Sequence, residues 1–212
     1  MNYHGSEKKR ALKAVKDQML PMSIHSEKRE QWLGDGVYLF EEQFYAYRWI
    51  VNMHLNNIKK KRYSENTNLV EKFAILGVKI EFDTEREFRI SNPEHALVFY
   101  TILEELEKKE RDNNRCRVYT DGEIFNFIFQ KLGYEKEYDL VRCGYTKLTK
   151  DRKGGHIKCS QEIQICVKNT DIIKEIKDIT DEVDLEKSNK LFNQYNLFQQ
   201  RSGRYGKRKG NK

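Results

Sequence analysis

The stretch WLGDGVYLF, residues 32–40, joins a glycine-containing turn to a short apolar run. Gly34 and Gly36 allow backbone conformations that other residues adopt only at a cost, and they let the main chain approach a neighbouring group closely. The β-branched, aromatic and aliphatic side chains from Val37 to Phe40 are typical of a strand. We therefore predict a tight turn followed by a strand, with the turn lying close to a ligand or to another part of the chain.

The segments on either side of this stretch have helical periodicity. EEQFYAYRWIVNMHLNNI, residues 41–58, predicts an amphipathic helix directly after the strand. Near the N-terminus, apolar residues spaced by three and four predict a helix from Glu7 to about Met19. We expect Ser6 to cap the start of that helix and Pro21 to stop it.

Strands and helices continue through the rest of the chain. We predict these elements in chain order: a strand pair or one long strand in 69–82, helices in 92–110 and 121–134, and strands in 138–148 and 161–169. In the last strand Glu162 and Gln164 share one face, which we expect to line a groove or to face solvent. After Asn169 we predict a short connection and then a helix. Its apolar stripe either packs into the core or binds a partner protein, and consists of Leu191, Phe192, Tyr195 and Phe198.

The positive charge is concentrated at the C-terminus. Of the 40 Lys and Arg residues, six lie in RSGRYGKRKGNK, residues 201–212, which contains no acidic residue, so the remaining 34 nearly balance the 33 Asp and Glu residues. Such a segment cannot bury enough apolar surface to fold alone. It serves either as a solubilising terminus or as a phosphate-binding arm in which Tyr205 can stack on a base.

Several classes of protein are disfavoured. No run approaches the roughly 18 apolar residues of a membrane span, and the N-terminus lacks a signal-peptide pattern, so we expect a cytoplasmic protein. The four cysteines form no C-x-x-C pair, so we expect reduced, mostly core thiols rather than a zinc site or disulfides, at Cys116, Cys143, Cys159 and Cys166. We find no P-loop, serine-hydrolase elbow, zinc-protease motif or dinucleotide fingerprint, and we expect no metal.

Three short motifs carry a family resemblance. They are YHGS at residues 3–6, GDGVYLF at 34–40 and QEIQICV at 161–167. In this order they resemble the PARP-like, diphtheria-toxin-type ADP-ribosyltransferases, whose motifs are a histidine followed by glycine, a G-x-G-x-Y turn and strand, and a glutamate beginning a late strand. WLGDGVYLFE, DGEIFNF and IQICVKN resemble phrases of the bacterial toxin and phage-defence members of that group. The resemblance spans about residues 3–175.

The resemblance implies that NAD is the co-substrate. Gly5 would offer its backbone amide and carbonyl to the nicotinamide carboxamide, while His4 would hydrogen-bond a ribose hydroxyl of the adenosine half. Tyr38 would stack on one face of the nicotinamide. The second stacking position of the family lies eleven residues further on, which is Trp49 here.

Carboxamide recognition and catalysis involve further positions. Ala46 stands where the family has a small hydroxyl residue, so the hydrogen bond from that residue is missing or is supplied by Ser6. Glu162 would bind the nicotinamide-ribose hydroxyl, steady the cationic sugar and help to deprotonate the acceptor. Gln164 is the alternative for that place. The catalytic residues implied by the resemblance are His4, Tyr38 and Glu162.

The chemistry explains why residues of these types are needed. Breaking the bond between nicotinamide and ribose passes through an oxocarbenium-like state, as glycoside cleavage does. The enzyme therefore has to hold the leaving ring rigidly and stabilise positive charge on the sugar. Aromatic side chains and one carboxylate can do both.

The fold implied by the resemblance is α+β, a split β-sandwich with flanking helices and a central NAD cleft. We expect an ADP-ribosyltransferase domain in residues 1–180, a C-terminal helical extension in 181–200 and a basic flexible tail in 201–212. Residues 69–149 are expected to contribute mainly scaffold.

The expected reaction is a single transfer of ADP-ribose to a macromolecule, with release of nicotinamide. A polyanionic acceptor, preferably RNA over DNA, is favoured by the basic tail and by the cations around Gly154 and Gly155, namely Lys147, Lys150, Arg152, Lys153 and Lys158. The same loop is also typical of an ordinary surface connection. An intracellular toxin of this kind, acting in a toxin–antitoxin or antiviral defence system, implies a neutralising antitoxin protein, for which the stripe from Leu191 to Phe198 is a candidate docking site. The alternatives are an enzyme that modifies protein, a non-catalytic RNA-binding module, and a protein that kept the fold but lost activity.

Overall fold

A seven-stranded, mostly antiparallel sheet forms the centre of the protein, in a computed structural model that describes residues 1–26, 31–146 and 161–204. The strands are β1 (Asn2–Glu7), β2 (Val37–Phe40), β3 (Phe73–Ile80), β4 (Glu87–Arg89), β5 (Leu140–Thr146), β6 (Gln161–Val167) and β7 (Ile173–Asp178). Their order in the sheet is β4-β5-β6-β2-β1-β3-β7. The β4–β5 pair is parallel, and the other neighbouring pairs are antiparallel.

Six α-helices lie within the described ranges. They are α1 (Lys8–Asp17), α2 (Gln43–Lys59), α3 (Leu69–Lys72), α4 (Pro93–Asp112), α5 (Asp121–Asn126) and α6 (Leu185–Arg204), and α5 continues into a π-helical turn at Phe127–Lys131. The predicted α+β class is therefore confirmed. No helix in the described parts of the chain is long and apolar enough to cross a membrane.

Of two predictions about the strands, one was wrong and one was confirmed only in part. Ser6 does not cap α1, because it belongs to β1, which pairs with β3 as far as Glu7; Glu7 occupies the N-cap position without a capping side-chain hydrogen bond. Residues 69–82 contain a single strand, as one of the two alternatives predicted, but the first four of them are helical. The amide of Val70 bonds the side chain of Asn68, so a helical turn, α3, comes first and the single strand β3 follows.

Two strands were not predicted. The segment after Asn169, which we expected to be a connection, contains the edge strand β7. Its apolar pattern is weak because Lys174, Glu175 and Lys177 interrupt it and only Ile176 is fully buried within it. The other strand, β4, has three residues, which is too short for a periodicity to be recognised.

Apolar residues cover both faces of the sheet. On one face, α1 packs over a core that includes Ala11, Ala14, Leu39, Leu76 and Ile165. On the other face, α2 and α6 cover a cluster that includes Phe40, Ile50, Phe73, Ile75 and Phe192. Beside it, α4 and α5 cover a third cluster that includes Phe88, Phe99, Phe125, Phe129 and Val141. Burial of these side chains is the main favourable contribution to the stability of the fold.

The described cysteines are all free thiols. Cys166 is buried and Cys143 is partly buried, both in the cluster under α4 and α5, whereas Cys116 is exposed. Cys159 lies outside the described residues.

The strands β1 and β2 are neighbours in the sheet but pair only briefly. Their register contains the single pair Tyr3↔Phe40, whereas β1 pairs with β3 along all six of its residues. In an antiparallel continuation Gly5 would lie opposite Tyr38, and that pair is not formed. The sheet therefore opens between β1 and β2 at the YHGS and GDGVYLF motifs.

Candidate active site

The backbone of Gly5 points into the opening between β1 and β2. The residue opposite Gly5 on β3 is Ile75. The amide of Ile75 donates to Thr180 Oγ1 (3.0 Å), and its carbonyl accepts from the amide of Ile179 (3.0 Å). Both polar groups of Ile75 thus point away from β1, so Gly5↔Ile75 is a non-hydrogen-bonded pair. The amide and carbonyl of Gly5 consequently point to the other side, toward β2, where the strands have parted.

Gly5 has to be glycine because α2 lies directly on it. A Cβ atom at this position would lie 2.7 Å from the carbonyl oxygen of Ala46, 2.7 Å from Cγ2 of Ile50 and 3.2 Å from Cδ1 of Trp49. Ala46 is completely buried at this contact.

His4 fills part of the opening. Its Nδ1 lies 2.8 Å from the carbonyl oxygen of Tyr38, the group that an unbroken ladder would have joined to Gly5. A carbonyl only accepts, so Nδ1 carries the proton and donates it. Burial lowers the pKa of His4, and the hydrogen bond to Tyr38 opposes this only in part. His4 is therefore neutral at pH 7, with Nε2 as a hydrogen-bond acceptor.

The phenol of Tyr38 holds the turn that precedes its own strand. Its hydroxyl accepts from the amide of Leu33 (2.8 Å) and donates to the carbonyl of Gly34 (2.7 Å). Burial raises the pKa of Tyr38, so the hydroxyl remains protonated. The turn itself needs glycine, because Gly34 has φ +72° and Gly36 has φ +154°.

The turn is also held from outside by residues that we expected to be scaffold. Asn126 of α5 accepts from the amide of Asp35 (2.6 Å) and donates to its carboxylate (3.0 Å), and Gln130 donates to the same carboxylate (2.9 Å). Burial alone would raise the pKa of Asp35, but these bonds and one from the amide of His25 outweigh it and lower the pKa. Lys168 Nζ donates to the carbonyls of Leu33 and Asp35, both at 2.6 Å. The turn is thus rigidly positioned.

Glu162 and Gln164 do share one face of β6, as predicted, but they neither face solvent nor line an open groove. Glu162 is 3% exposed and Gln164 is 7% exposed. Gln164 Nε2 donates to Glu162 Oε1 (2.6 Å), and Arg48 Nη2 donates to Oε2. Both oxygens of the carboxylate therefore accept hydrogen bonds.

Arg48 was not recognised from the sequence. It lies on α2 and is 7% exposed, and its guanidinium lies over two rings, Tyr45 at 5.1 Å and Tyr195 of α6 at 4.9 Å from the centroids. A signal was present, because Arg48 is the single charged residue in the apolar and aromatic run from Phe44 to Met53. Buried charges are normally paired, so that pattern predicts a buried carboxylate partner.

The remaining predicted residues lie nearby on different surfaces. Trp49 is 50% exposed and its ring centroid lies 6.4 Å from that of Phe40, two positions after Tyr38 on the same face of β2. Ser6 alternates with Gly5 along β1 and is paired with Ala74, within the core under α1. Of the basic residues in the predicted acceptor loop and in the predicted tail, 201–212, Arg201 and Arg204 lie in the last turn of α6. Those in 147–160 and 205–212 lie outside the described residues.

Gly5 and Glu162 are separated both along the strands and across the sheet. Tyr3 and Gln164 both pair with Phe40, so Gly5 and Glu162 are displaced in opposite directions along the strands. The two residues are four positions apart along the strand direction and two strands apart across the sheet. On a flat sheet this separation corresponds to about 16 Å between their Cα atoms. No group of three or more His, Cys, Asp or Glu side chains in the described residues could hold a metal.

Comparison with known proteins shows one informative relative. An uncharacterized protein of Methanocaldococcus jannaschii, MJ0359, is 30% identical over 194 residues, which cover 82% of this chain and 85% of the archaeal protein. The chain belongs to the family of MJ0359. No family model matches the chain. No solved structure matches it significantly. The functional conclusion for this MJ0359-family protein therefore depends on the chemistry of the site.

Proposed function

We propose that the protein is an NAD-dependent mono-ADP-ribosyltransferase that transfers ADP-ribose to a macromolecular acceptor and releases nicotinamide. The observation that carries the proposal is the opening between β1 and β2, which leaves the amide and carbonyl of Gly5 directed at a ligand position. A primary carboxamide has a complementary acceptor and donor. The opening also supports the finer fold assignment, a split sandwich with a central NAD cleft.

The groups around the opening support binding of the rest of NAD. Neutral His4, with its proton on Nδ1, offers Nε2 as an acceptor for a ribose hydroxyl. Tyr38 follows a rigidly held turn, and Trp49 presents a half-exposed ring. A rigid site costs little reorganisation when the ligand binds.

Glu162 is suited to the catalytic step. A carboxylate held by Gln164 and Arg48 keeps a fixed position and can accept a hydrogen bond from the nicotinamide-ribose hydroxyl, while its charge favours the cationic sugar in the transition state. It can then accept a proton from the attacking group. Gln164 carries no charge and cannot act as a base, which favours Glu162 over Gln164 as the catalytic residue.

The acceptor is proposed on charge alone. The 201–212 segment and the cations of 147–158 would attract a polyanion, so we infer a nucleic-acid acceptor, with RNA preferred to DNA. Such an intracellular toxin would require a cognate antitoxin protein. The stripe proposed for its docking is only partly available, because Phe192 is buried against the core and Tyr195 covers Arg48.

The test uses NAD labelled in the adenosine half. Purified protein is incubated with total RNA, with DNA and with cell lysate, beside Glu162→Ala and Gln164→Ala. We expect protease-resistant label in RNA from the wild type and none from Glu162→Ala. Label confined to protein would contradict the proposed acceptor, and full activity of Glu162→Ala together with an inactive Gln164→Ala would contradict the catalytic assignment.

A further inference from the structure

The proposed catalytic carboxylate is closed off in this structure. Glu162 is 3% exposed and its partner Arg48 is 7% exposed, so a ribose hydroxyl cannot contact the carboxylate in this form. The proposed reaction requires that contact. Something in the fold therefore has to move before NAD can bind fully.

Among the described residues, helix α6 packs against Arg48, on the side of the pair away from the sheet. Tyr195 places its ring 4.9 Å from the guanidinium carbon of Arg48, on a different helix from the Tyr45 ring that Arg48 also contacts. Tyr195 also packs edge-on against Phe44, with 6.0 Å between centroids. Phe192, one turn earlier, is 5% exposed in the cluster beneath α2.

Helix α6 buries few of its side chains for a helix of 20 residues. Among its described side chains, 185–196, Phe192 is buried, three are partly buried and the rest are exposed. The helix follows the last described strand, β7, and is not itself part of the sheet. Elements with few buried apolar contacts open locally while the remaining structure stays folded.

The closed form leaves one guanidinium nitrogen of Arg48 unsatisfied. Nη1 is buried and has no hydrogen-bond partner among the described residues, whereas Nη2 bonds Glu162. A buried guanidinium donor without a partner is unfavourable. Opening of the cover would let solvent or an oxygen atom of a bound nucleotide accept this bond, so the open form gains an interaction that the closed form lacks.

We propose that α6 is an autoinhibitory cover, which holds the Arg48–Glu162 pair closed through Tyr195 and must swing away before NAD reaches Glu162. The proposal rests on the proposed NAD-dependent function, because it describes the regulation of the same site. The apparent dissociation constant for NAD equals the intrinsic constant of the open form divided by the fraction of molecules that are open. Weakening the cover should therefore tighten NAD binding without altering any group that contacts NAD.

The experiment compares the full-length wild type with Tyr195→Ala, which removes the ring over Arg48 but keeps Phe192. NAD affinity is measured by isothermal titration calorimetry. With an open population of 0.1–10%, the dissociation constant should fall by about 10-fold to 1,000-fold. Tyr195→Phe, which keeps the ring, and Leu191→Ala, at an exposed position of the same helix, are the matched controls and should bind NAD as the wild type does.

Hydrogen exchange of the wild type supplies a second measurement that needs no variant to fold. NAD should accelerate exchange in the α6 peptides and slow it in β1. The autoinhibitory role of α6 would be contradicted if Tyr195→Ala bound NAD as tightly as the wild type or more weakly. It would also be contradicted if NAD slowed hydrogen exchange in α6. None of these results would contradict NAD binding itself. If no form binds NAD, the proposed function fails and the cover fails with it.

Discussion

At the scale of single residues, the least expected feature is the buried triad of Arg48, Glu162 and Gln164. Removing two charges from water is costly, and the pair repays the cost only if both partners are present and well hydrogen-bonded. The sequence suggested Glu162 and Gln164 through their alternation in β6. It could not place Arg48 beside them, because 114 residues separate Arg48 from Glu162 along the chain.

Removing one partner of the pair should be more harmful than removing both. Arg48→Leu or Glu162→Leu leaves an uncompensated buried charge, so we expect each to lower the free energy of unfolding by about 3–5 kcal/mol. The double variant should recover most of that loss. Urea denaturation of the four proteins at pH 7 measures the coupling, with the exposed pair Lys79 and Glu81 as a control that should show none. Simple additivity of the two single losses would contradict the buried pair.

The burial of His4 should appear as a pH dependence of stability. The pKa of His4 is lowered in the folded protein, so the unfolded chain binds the proton more tightly. The contribution of neutral His4 is therefore complete above the unfolded pKa of about 6.5 and is lost as the pH falls below that value.

The variant His4→Asn keeps a hydrogen-bond donor but does not titrate. The unfolding free energy of the wild type should decrease more steeply between about pH 6.5 and 5 than that of His4→Asn. The carboxylates with lowered pKa values lose their contributions only below about pH 4.5, so they do not obscure this window; they are Asp35, Glu81, Glu123, Asp139 and Asp178. Parallel pH profiles for the two proteins would contradict the burial of a neutral His4.

At the scale of elements, the turn and strand at 32–40 and the helix after them agree closely with the sequence prediction. Paired glycines and a strong period left few alternatives there. The sequence predictions were wrong or incomplete where tertiary contacts determine the local structure. Ser6 has the chemistry of a helix cap but is held in β1 by pairing with β3, and the charged edge strand β7 has too little apolar pattern to be recognised. The role of α5 as the anchor of the turn depends on contacts across 91 residues, which no local pattern reports.

The anchor makes a clear prediction for Asn126. Asn126→Ala removes both the acceptor for the Asp35 amide and a donor to its carboxylate. We expect a loss of about 1–3 kcal/mol in unfolding free energy and weaker NAD binding, because Tyr38 depends on the same turn. Gln130→Ala, which removes one exposed bond to Asp35, is the matched control and should have a smaller effect on both. Thermal unfolding and calorimetric NAD titration provide the measurements; equal effects of the two variants would argue against the anchor.

At the scale of the whole molecule, the positive net charge lies in a different part of the chain from the folded body. The body is nearly neutral, and the excess of Lys and Arg lies in 201–212. Replacing the six basic residues of that segment by glutamine should weaken binding to single-stranded RNA. It should also make the slope of log K against log salt less steep by up to about 4, because each phosphate contact on a single strand contributes about 0.7.

A control for this change is the replacement of Lys9, Lys13 and Lys16, exposed residues of α1. That variant should keep the salt slope of the wild type. Fluorescence anisotropy of a labelled single-stranded RNA oligonucleotide at several salt concentrations measures the affinity of each variant and its salt slope. An unchanged slope in the 201–212 variant would indicate that the segment only improves solubility.

The opening between β1 and β2 is the centre of the account, and it unites motifs that are far apart in the chain. Gly5 and Glu162 are assigned separable tasks there, carboxamide binding and catalysis. In Gly5→Ala the new Cβ would collide with α2 at 2.7 Å, so the strand must shift and the carboxamide site with it. Glu162→Gln keeps the size of the side chain and removes its charge.

The most direct test is nicotinamide release from NAD, measured together with NAD affinity, for the wild type, Gly5→Ala and Glu162→Gln, each also in the Tyr195→Ala background. Glu175→Gln, at a partly exposed position on β7, is the control and should match the wild type. We predict that Gly5→Ala loses NAD affinity, whereas Glu162→Gln retains affinity but releases nicotinamide at least about 100-fold more slowly. Release by Glu162→Gln at the wild-type rate, or no NAD binding by any of the proteins, would contradict the account.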